Sequence, residues 1–200
     1  MIPVLVLMTA YLLGAIPFGF LLVRFTTGRD VRESGSGNIG ATNVLRTSGR
    51  AAGVATLLLD IAKGYLAVWI AERFLGGSPQ WGAAAALAVM TGHAFPVFLK
   101  FKGGRAVASF VGAFLRLTPL PLVAVLVLFT ATVAYTRYIS LGSIVAAGLF
   151  PLAVWMIEHP PVSVTAAAAV SAAFIIWRHR ENIERLRAGK ENVFRFRRPS

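Results

Sequence analysis

Residues 117–157 read LTPLPLVAVLVLFTATVAYT, then Arg137, then YISLGSIVAAGLFPLAVWMI. A single charged side chain therefore separates two charge-free runs of 20 residues each. An α-helix rises about 1.5 Å per residue, so roughly 20 apolar residues cross the hydrocarbon layer of a bilayer. One basic residue between two such runs leaves room only for a tight turn, and the stretch reads as a helical hairpin in a membrane. Outward from it, residues 1–23, 74–99 and 159–177 are also free of Asp, Glu, Lys and Arg, over 23, 26 and 19 positions. Two weaker segments complete the set. Residues 51–72 are apolar apart from Asp60, Lys63 and Glu72, and residues 104–117 are short. The sequence thus predicts an all-α fold: a single polytopic membrane domain over 1–200, with seven transmembrane helices at about 2–24, 51–72, 80–95, 104–117, 119–136, 139–157 and 162–178.

Composition agrees with lipid as the main solvent. The chain is 56% hydrophobic and 14% charged, with a mean hydropathy of +0.70. A chain of 200 residues in water would still expose roughly a third of its unfolded surface, too much for so apolar a sequence. That balance also excludes disorder. No cysteine is present, which removes disulfides, thiolate metal sites and cysteine nucleophiles. The formal charge of +12 does not form one stripe but sits in short clusters between apolar runs, so nucleic acid is not the expected partner. The first run lacks a positive leading segment and is too long for the apolar core of a signal peptide, so it reads as a retained span.

Seven alternating helices with the N-terminus outside put 17 of the 20 basic residues on the inner side. These are Arg24, Arg29, Arg32, Arg46, Arg50, Lys100, Lys102, Arg105, Arg137, Arg178, Arg180, Arg185, Arg187, Lys190, Arg195, Arg197 and Arg198. Arg73 and Arg116 fall outside, and Lys63 lies within a span. The positive-inside bias then gives a cytoplasmic C-terminus, with inner loops at 26–50, 96–105 and 137–143 and an inner extension at 179–200.

Three inner segments are richer than connectors need to be. The first, GSGNIGATNVLR at 35–46, is packed with glycine, hydroxyl and amide, and residues 41–48 read as a short helix stopped at Gly49. Thr42, Asn43 and Arg46 would share a face of it. Backbone N–H groups at a helix start, with a guanidinium one turn on, suit a phosphate. The second, GHAFPVFLKFKGGRAVAS at 92–109, breaks its helix before Pro96 and leaves His93 on the broken element near the inner boundary. Lys102-Gly103-Gly104-Arg105 then opens the fourth helix with two cations and two flexible amides. It lacks the spacing of a Walker A loop. The third, HRENIERLRAGKE at 179–191, continues the last helix and sorts His179 and Asn182 to one side, with Glu181 and Arg185 paired one turn apart on another. Asp60 and Lys63, i and i+3 within an apolar span, read as a structural pair that neutralises itself. Trp69, Trp81, Trp155 and Trp177 read as interfacial anchors.

Those three motifs, in that order, closely resemble the motif regions of the bacterial acyl-phosphate:glycerol-3-phosphate acyltransferases, and length and span count fit along the whole chain. The resemblance implies an integral enzyme of the bacterial inner membrane, working in phospholipid synthesis with its site facing the cytoplasm. It would move a fatty acyl group from acyl phosphate to the 1-hydroxyl of sn-glycerol 3-phosphate, giving lysophosphatidic acid and phosphate, with no cofactor or metal. The resemblance assigns Ser36 and Arg46 to substrate phosphate and the 102–105 loop to glycerol phosphate, with Ser143 joining them. Asn38, Thr42, Asn43 and His93 belong to the same expected binding set. His179 and Asn182 match the pair serving binding and catalysis, and Glu191 matches an acidic position that supports structure. The family usually reads Gly-Gly-Lys-Gly where this chain has Gly103-Gly104-Arg105-Ala106. Arg105 can clamp phosphate and cannot act as a base.

No serine in these motifs has a visible His-acid partner, so direct transfer without an acyl-enzyme is expected, with either His179 or a substrate phosphate oxygen taking the hydroxyl proton. The rival reading from another class is a membrane transporter for an organic phosphate. It predicts an internal repeat and a gate on the outer side, and the sequence offers neither. A membrane scaffold with a basic inner face would leave the glycines and asparagines of 35–43 without a role.

Overall fold

A computed structural model describes residues 1–194; Arg195, Arg197 and Arg198, counted above on the inner side, and the end of the 179–200 extension lie outside the described residues. Among the described residues every regular element is helical, as the charge-free runs require. Five helical segments are long and apolar enough to cross a membrane, and a sixth is reached by counting α9 and α10 below as one bent span. The helix expected over 104–117 runs only from Val107 to Leu117, 11 residues, or about 16 Å at the helical rise. The chain divides into two compact units, Met1–Leu117 and Thr118–Ser200.

In the first unit, α1 (Ile2–Ala15) and α2 (Phe18–Thr27) meet at Ile16-Pro17, where proline removes a backbone donor. A short helix, α3 (Ala41–Ser48), follows the glycine-rich loop and stops at Gly49, φ 94°. Then come α4 (Arg50–Phe74), α5 (Pro79–Ala94) and α6 (Val107–Leu117). α4 packs mainly on α6, and α1 on α5. Both interfaces are built on pairs of glycines that let backbones touch. A Cβ on Gly64 would strike the Ser109 carbonyl, and one on Gly112 the Ile61 carbonyl. Gly14 and Gly92 stand in the same relation to Val89 and Tyr11. Lipid offers no hydrophobic drive between helices, so close backbone contact of this kind supplies the attraction. Below them Val23, Val31, Ile39, Val44 and Leu99 form a buried apolar cluster, with Phe20 and Ala52 against it. That cluster anchors the 31–44 loop and the turn after Pro96 to one support.

The second unit contains α7 (Pro119–Thr136), α8 (Ile139–Ile157), α9 (Val162–Arg178) and α10 (Arg180–Arg187). α7 packs on α8 and α8 on α9, so the hairpin read from 117–157 is formed. Arg137, left-handed at φ 62°, makes its turn. The expected continuous helix through 179–191 is broken: α9 and α10 meet at 55°, with His179 at the corner. The tail returns to the hairpin turn, where Phe194 N donates to Arg137 O at 2.8 Å.

Candidate active site

The polar groups singled out in the sequence fall into two sets, one in each unit. In the first unit the 31–46 segment is organised by Asn43, which is 2% exposed. Its Nδ2 donates to the carbonyls of Val31 (3.2 Å), Ser34 (3.0 Å) and Asn38 (2.8 Å), and its Oδ1 accepts from Ser36 N at 2.8 Å. The side chain thus turns into the loop and folds it, while Thr42 and Arg46 remain half-buried on the same helix. Gly35, φ 63°, is required twice over: the backbone is left-handed there, and a Cβ would strike Asn43 Oδ1. Asn38 Oδ1 accepts from Gly40 N at 2.8 Å and shapes the entry to α3. Ser36 is held by its backbone and is half-buried.

At the loop's start Asp30 accepts from Arg32 N at 2.9 Å and from its guanidinium at 2.6 Å. That side-chain hydrogen bond holds the Asp30 carboxyl below its ordinary pKa, partly opposed by desolvation. The Arg32 guanidinium also lies 5.1 Å over the Phe20 ring, which ties the loop to α2.

The 102–105 loop is not the start of α6 but an irregular strap before it. Gly103 N donates to Ala94 O at 3.1 Å and Gly104 N to His93 O at 3.0 Å, so the strap lies along the end of α5. Its two glycines have no positive φ, unlike their neighbours Lys100, Phe101 and Ala106 at 53°, 62° and 62°. They are glycine because there is no room. A Cβ on Gly103 would meet the His93 carbonyl and Pro96 Cδ, and one on Gly104 would meet His93 Nε2. Lys102 is exposed and Arg105 half-buried, which leaves two cations along a tightly held backbone. His93 is 4% exposed and packs under this strap, with Ser109 Oγ 3.3 Å and Asp60 Oδ1 3.6 Å from its Nδ1. Asp60 also pairs with Lys63 at 2.7 Å, and Lys63 Nζ donates to Ile16 O, at the α1–α2 break, at 2.9 Å.

In the second unit His179 is 3% exposed at the α9–α10 corner. Its Nδ1 is 2.8 Å from Ile175 O. A carbonyl only accepts, so Nδ1 bears the proton and the lone pair of the neutral ring is on Nε2. One turn on, Asn182 Nδ2 donates to Glu191 Oε1 at 2.9 Å, and Arg185 Nε donates to Glu191 Oε2, also at 2.9 Å. Arg185 thus pairs with Glu191 in place of the Glu181 expected from helical spacing. Asn182 Oδ1 is buried and has no hydrogen-bond partner among the described residues. Ser143 is 6% exposed, and its hydroxyl donates to Ile139 O at 3.0 Å. Among the described residues no three His, Asp or Glu side chains gather as metal ligands would. The sequence reading quoted Ser109 as the last residue of the 92–109 motif but did not single it out as a site residue; it lies 16 positions from His93.

Comparison with known proteins gives this geometry a family. A family model described as glycerol-3-phosphate acyltransferase matches residues 4–189. A glycerol-3-phosphate acyltransferase of Geobacter sulfurreducens is 51% identical over 93% of this chain and 94% of its own length. One from Geotalea daltonii is 47% identical over 96% and 97%. The crystal structure of PlsY, an integral membrane glycerol 3-phosphate acyltransferase in its glycerol 3-phosphate form, superposes with a TM-score of 0.91 over 96% of both chains at 38% identity. Its lysophosphatidic acid form gives 0.87 at 36% identity, over 96% of this chain and 95% of that one. The fold is that of a membrane-embedded acyltransferase. The chain belongs to the glycerol-3-phosphate acyltransferase family, whose reaction serves phospholipid biosynthesis.

Proposed function

We propose that this enzyme transfers a fatty acyl group from acyl phosphate to the 1-hydroxyl of sn-glycerol 3-phosphate, the first step of phospholipid synthesis. The observation that carries the reading is the match, over 96% of both chains, to a structure named for its glycerol 3-phosphate form. The site's chemistry supports it. Each substrate presents a phosphate, and the first unit offers Ser36, Arg46, Lys102 and Arg105 on backbones fixed by Asn43 and by the end of α5. Acyl phosphate is an activated donor, so the protein need only align the reactants and stabilise developing charge. The glycerol 1-hydroxyl attacks the acyl carbonyl carbon, the carbon–oxygen bond to phosphate breaks, and phosphate leaves. His179 and Asn182 serve the acceptor: the buried Asn182 Oδ1 is an acceptor suited to a glycerol hydroxyl, and Ser143 joins the phosphate-binding set. A phosphate oxygen of a bound substrate takes the hydroxyl proton. His179→Ala should then raise KM and keep the shape of the pH–rate profile; a lost alkaline limb would assign the proton to His179 instead.

In the membrane the account takes seven helices, α6 included, with the N-terminus outside and the C-terminus and site on the cytoplasmic side of the bacterial inner membrane. The 17-to-2 distribution of loop cations supports this orientation. The experiment is a donor comparison. Protein purified in detergent is given sn-glycerol 3-phosphate with palmitoyl phosphate or with palmitoyl-CoA, and phosphate and lysophosphatidic acid are measured together. Both products with palmitoyl phosphate alone support the reading. Product from palmitoyl-CoA would reassign the donor, and none from either would return attention to transport.

A further inference from the structure

Asp60 sits in an apolar span, 2% exposed, and its partner on the same helix, Lys63, is already committed to Ile16 O. A pair that served only to neutralise itself would need nothing more. Yet Asp60 Oδ1 also faces His93 Nδ1 at 3.6 Å, on a different helix, and Ser109 Oγ of a third helix lies 3.3 Å from the same nitrogen. A carboxylate beside Nδ1 favours a proton there, and the hydroxyl fixes the ring's rotation. The other edge of that ring, Nε2, occupies the space a side chain on Gly104 would fill, while the His93 carbonyl receives Gly104 N. One residue therefore holds the strap by backbone and by ring.

We propose that Asp60 and Ser109 orient His93, and that His93 sets the position of the Gly103-Gly104 backbone between Lys102 and Arg105. Asp60, Ser109 and His93 are then positioning residues for glycerol 3-phosphate, acting through the strap without touching the substrate. This rests on the reading above that the strap binds that substrate. The arrangement explains why the loop needs two glycines in ordinary φ, and why an acid is retained in an apolar span when Lys63 could have been dispensed with alongside it.

The test is a set of variants of the full-length enzyme in detergent, scored by KM for each substrate and by kcat. Gly104→Ala, whose new methyl collides with His93, should raise KM for glycerol 3-phosphate about tenfold or more, with KM for palmitoyl phosphate and kcat within about twofold. His93→Ala should raise it severalfold, and the double variant His93→Ala/Gly104→Ala should recover at least fivefold relative to the product of the two single effects, because the methyl then has a vacated space to enter. Asp60→Asn/Lys63→Met, which avoids an unpaired lysine, should raise the same KM about fivefold, and Ser109→Ala about threefold. Ser109→Ala decides the matter if the double replacement fails to fold. Independent, multiplying effects at His93 and Gly104, or an unchanged glycerol 3-phosphate KM in the folded Asp60 or Ser109 variants, would overturn the proposal. Lys102→Ala separates the two levels. If it raises that KM while the positioning variants do not, only the positioning role falls; if it too has no effect, the strap is not the glycerol 3-phosphate site and both readings fall.

Discussion

Glu191 accepts a hydrogen bond from Asn182 at 2.9 Å, nine positions back in the chain, although no helix connects them. The same carboxylate takes Arg185 on its second oxygen. A buried acid that satisfies two donors on α10 fixes the Asn182 amide and so aims its Oδ1. Glu191→Ala leaves the buried Asn182 amide without its acceptor and releases the partly exposed Arg185. We expect a loss of about 1–3 kcal/mol, read as a lower unfolding temperature in detergent, with activity falling further than the melt alone explains. Glu191→Gln keeps an acceptor for one donor and should lose less on both readouts.

Asn43 makes four hydrogen bonds, three of them by donation. A carboxylate cannot donate, so Asn43→Asp should be as damaging as Asn43→Ala, with destabilisation of about 2–4 kcal/mol and loss of activity. Thr42→Ser, on the same helix but half-buried, should keep most activity. Similar effects at both positions would show that Asn43 is not the loop's organiser. Melting curves beside turnover measure this.

How far the sequence carried is visible at this loop. Gly49 stopped α3 where its residue type demanded, and Pro96 broke the third span, because these are local backbone rules. Four of the five long spans were legible from missing charge, because lipid rejects charge. The fifth, Arg50–Phe74, carries Asp60, Lys63 and Glu72 and was the weaker reading, while the charge-free run 159–177 is long enough only when α9 and α10 are counted together. Helical spacing placed Asn43 beside Thr42 and Arg46 but could not say which way the loop would wrap, so its inward turn was hidden. The corner at His179 was equally hidden, since Arg178-His179-Arg180 contains no proline or glycine to mark it. The Asp60–His93 relation joins residues 33 apart and exists only once α4 meets α5. Short α6 was the segment where length and hydropathy pointed to a span with least force, and it is the one shorter than a bilayer needs.

Ala106 has φ 62° and is fully buried at the end of the strap. Left-handed backbone costs an L-residue about 1–2 kcal/mol, and glycine returns part of that through its unfolded-state entropy. Ala106→Gly should therefore stabilise the protein by about 0.5–1 kcal/mol, seen as a higher unfolding temperature. A lower one would show that the Cβ packs to more effect than the backbone is strained.

The Asp30 carboxyl is held below its usual pKa by the Arg32 guanidinium. A depressed folded pKa means the unfolded chain binds the proton more readily, so this contribution is present above about pH 4 and is lost as pH falls through the lower, folded value. Asp30→Asn should flatten the acid side of a plot of unfolding temperature against pH below about pH 4 and leave neutral pH nearly unchanged. The effect is small because the pair is partly exposed to solvent. An unchanged acid limb would remove Asp30 from the forces holding the loop.

The central claim, that the acyl group passes directly from acyl phosphate to glycerol 3-phosphate on this protein, is tested most directly by rapid mixing of enzyme with palmitoyl phosphate, with and without sn-glycerol 3-phosphate, counting phosphate and lysophosphatidic acid per enzyme. The account predicts no burst of phosphate without the acceptor, and equal amounts of the two products when it is present. One phosphate released per enzyme in the absence of acceptor would reveal an acyl-enzyme, and phosphate without lysophosphatidic acid would show that glycerol 3-phosphate is not the acceptor; either result contradicts it.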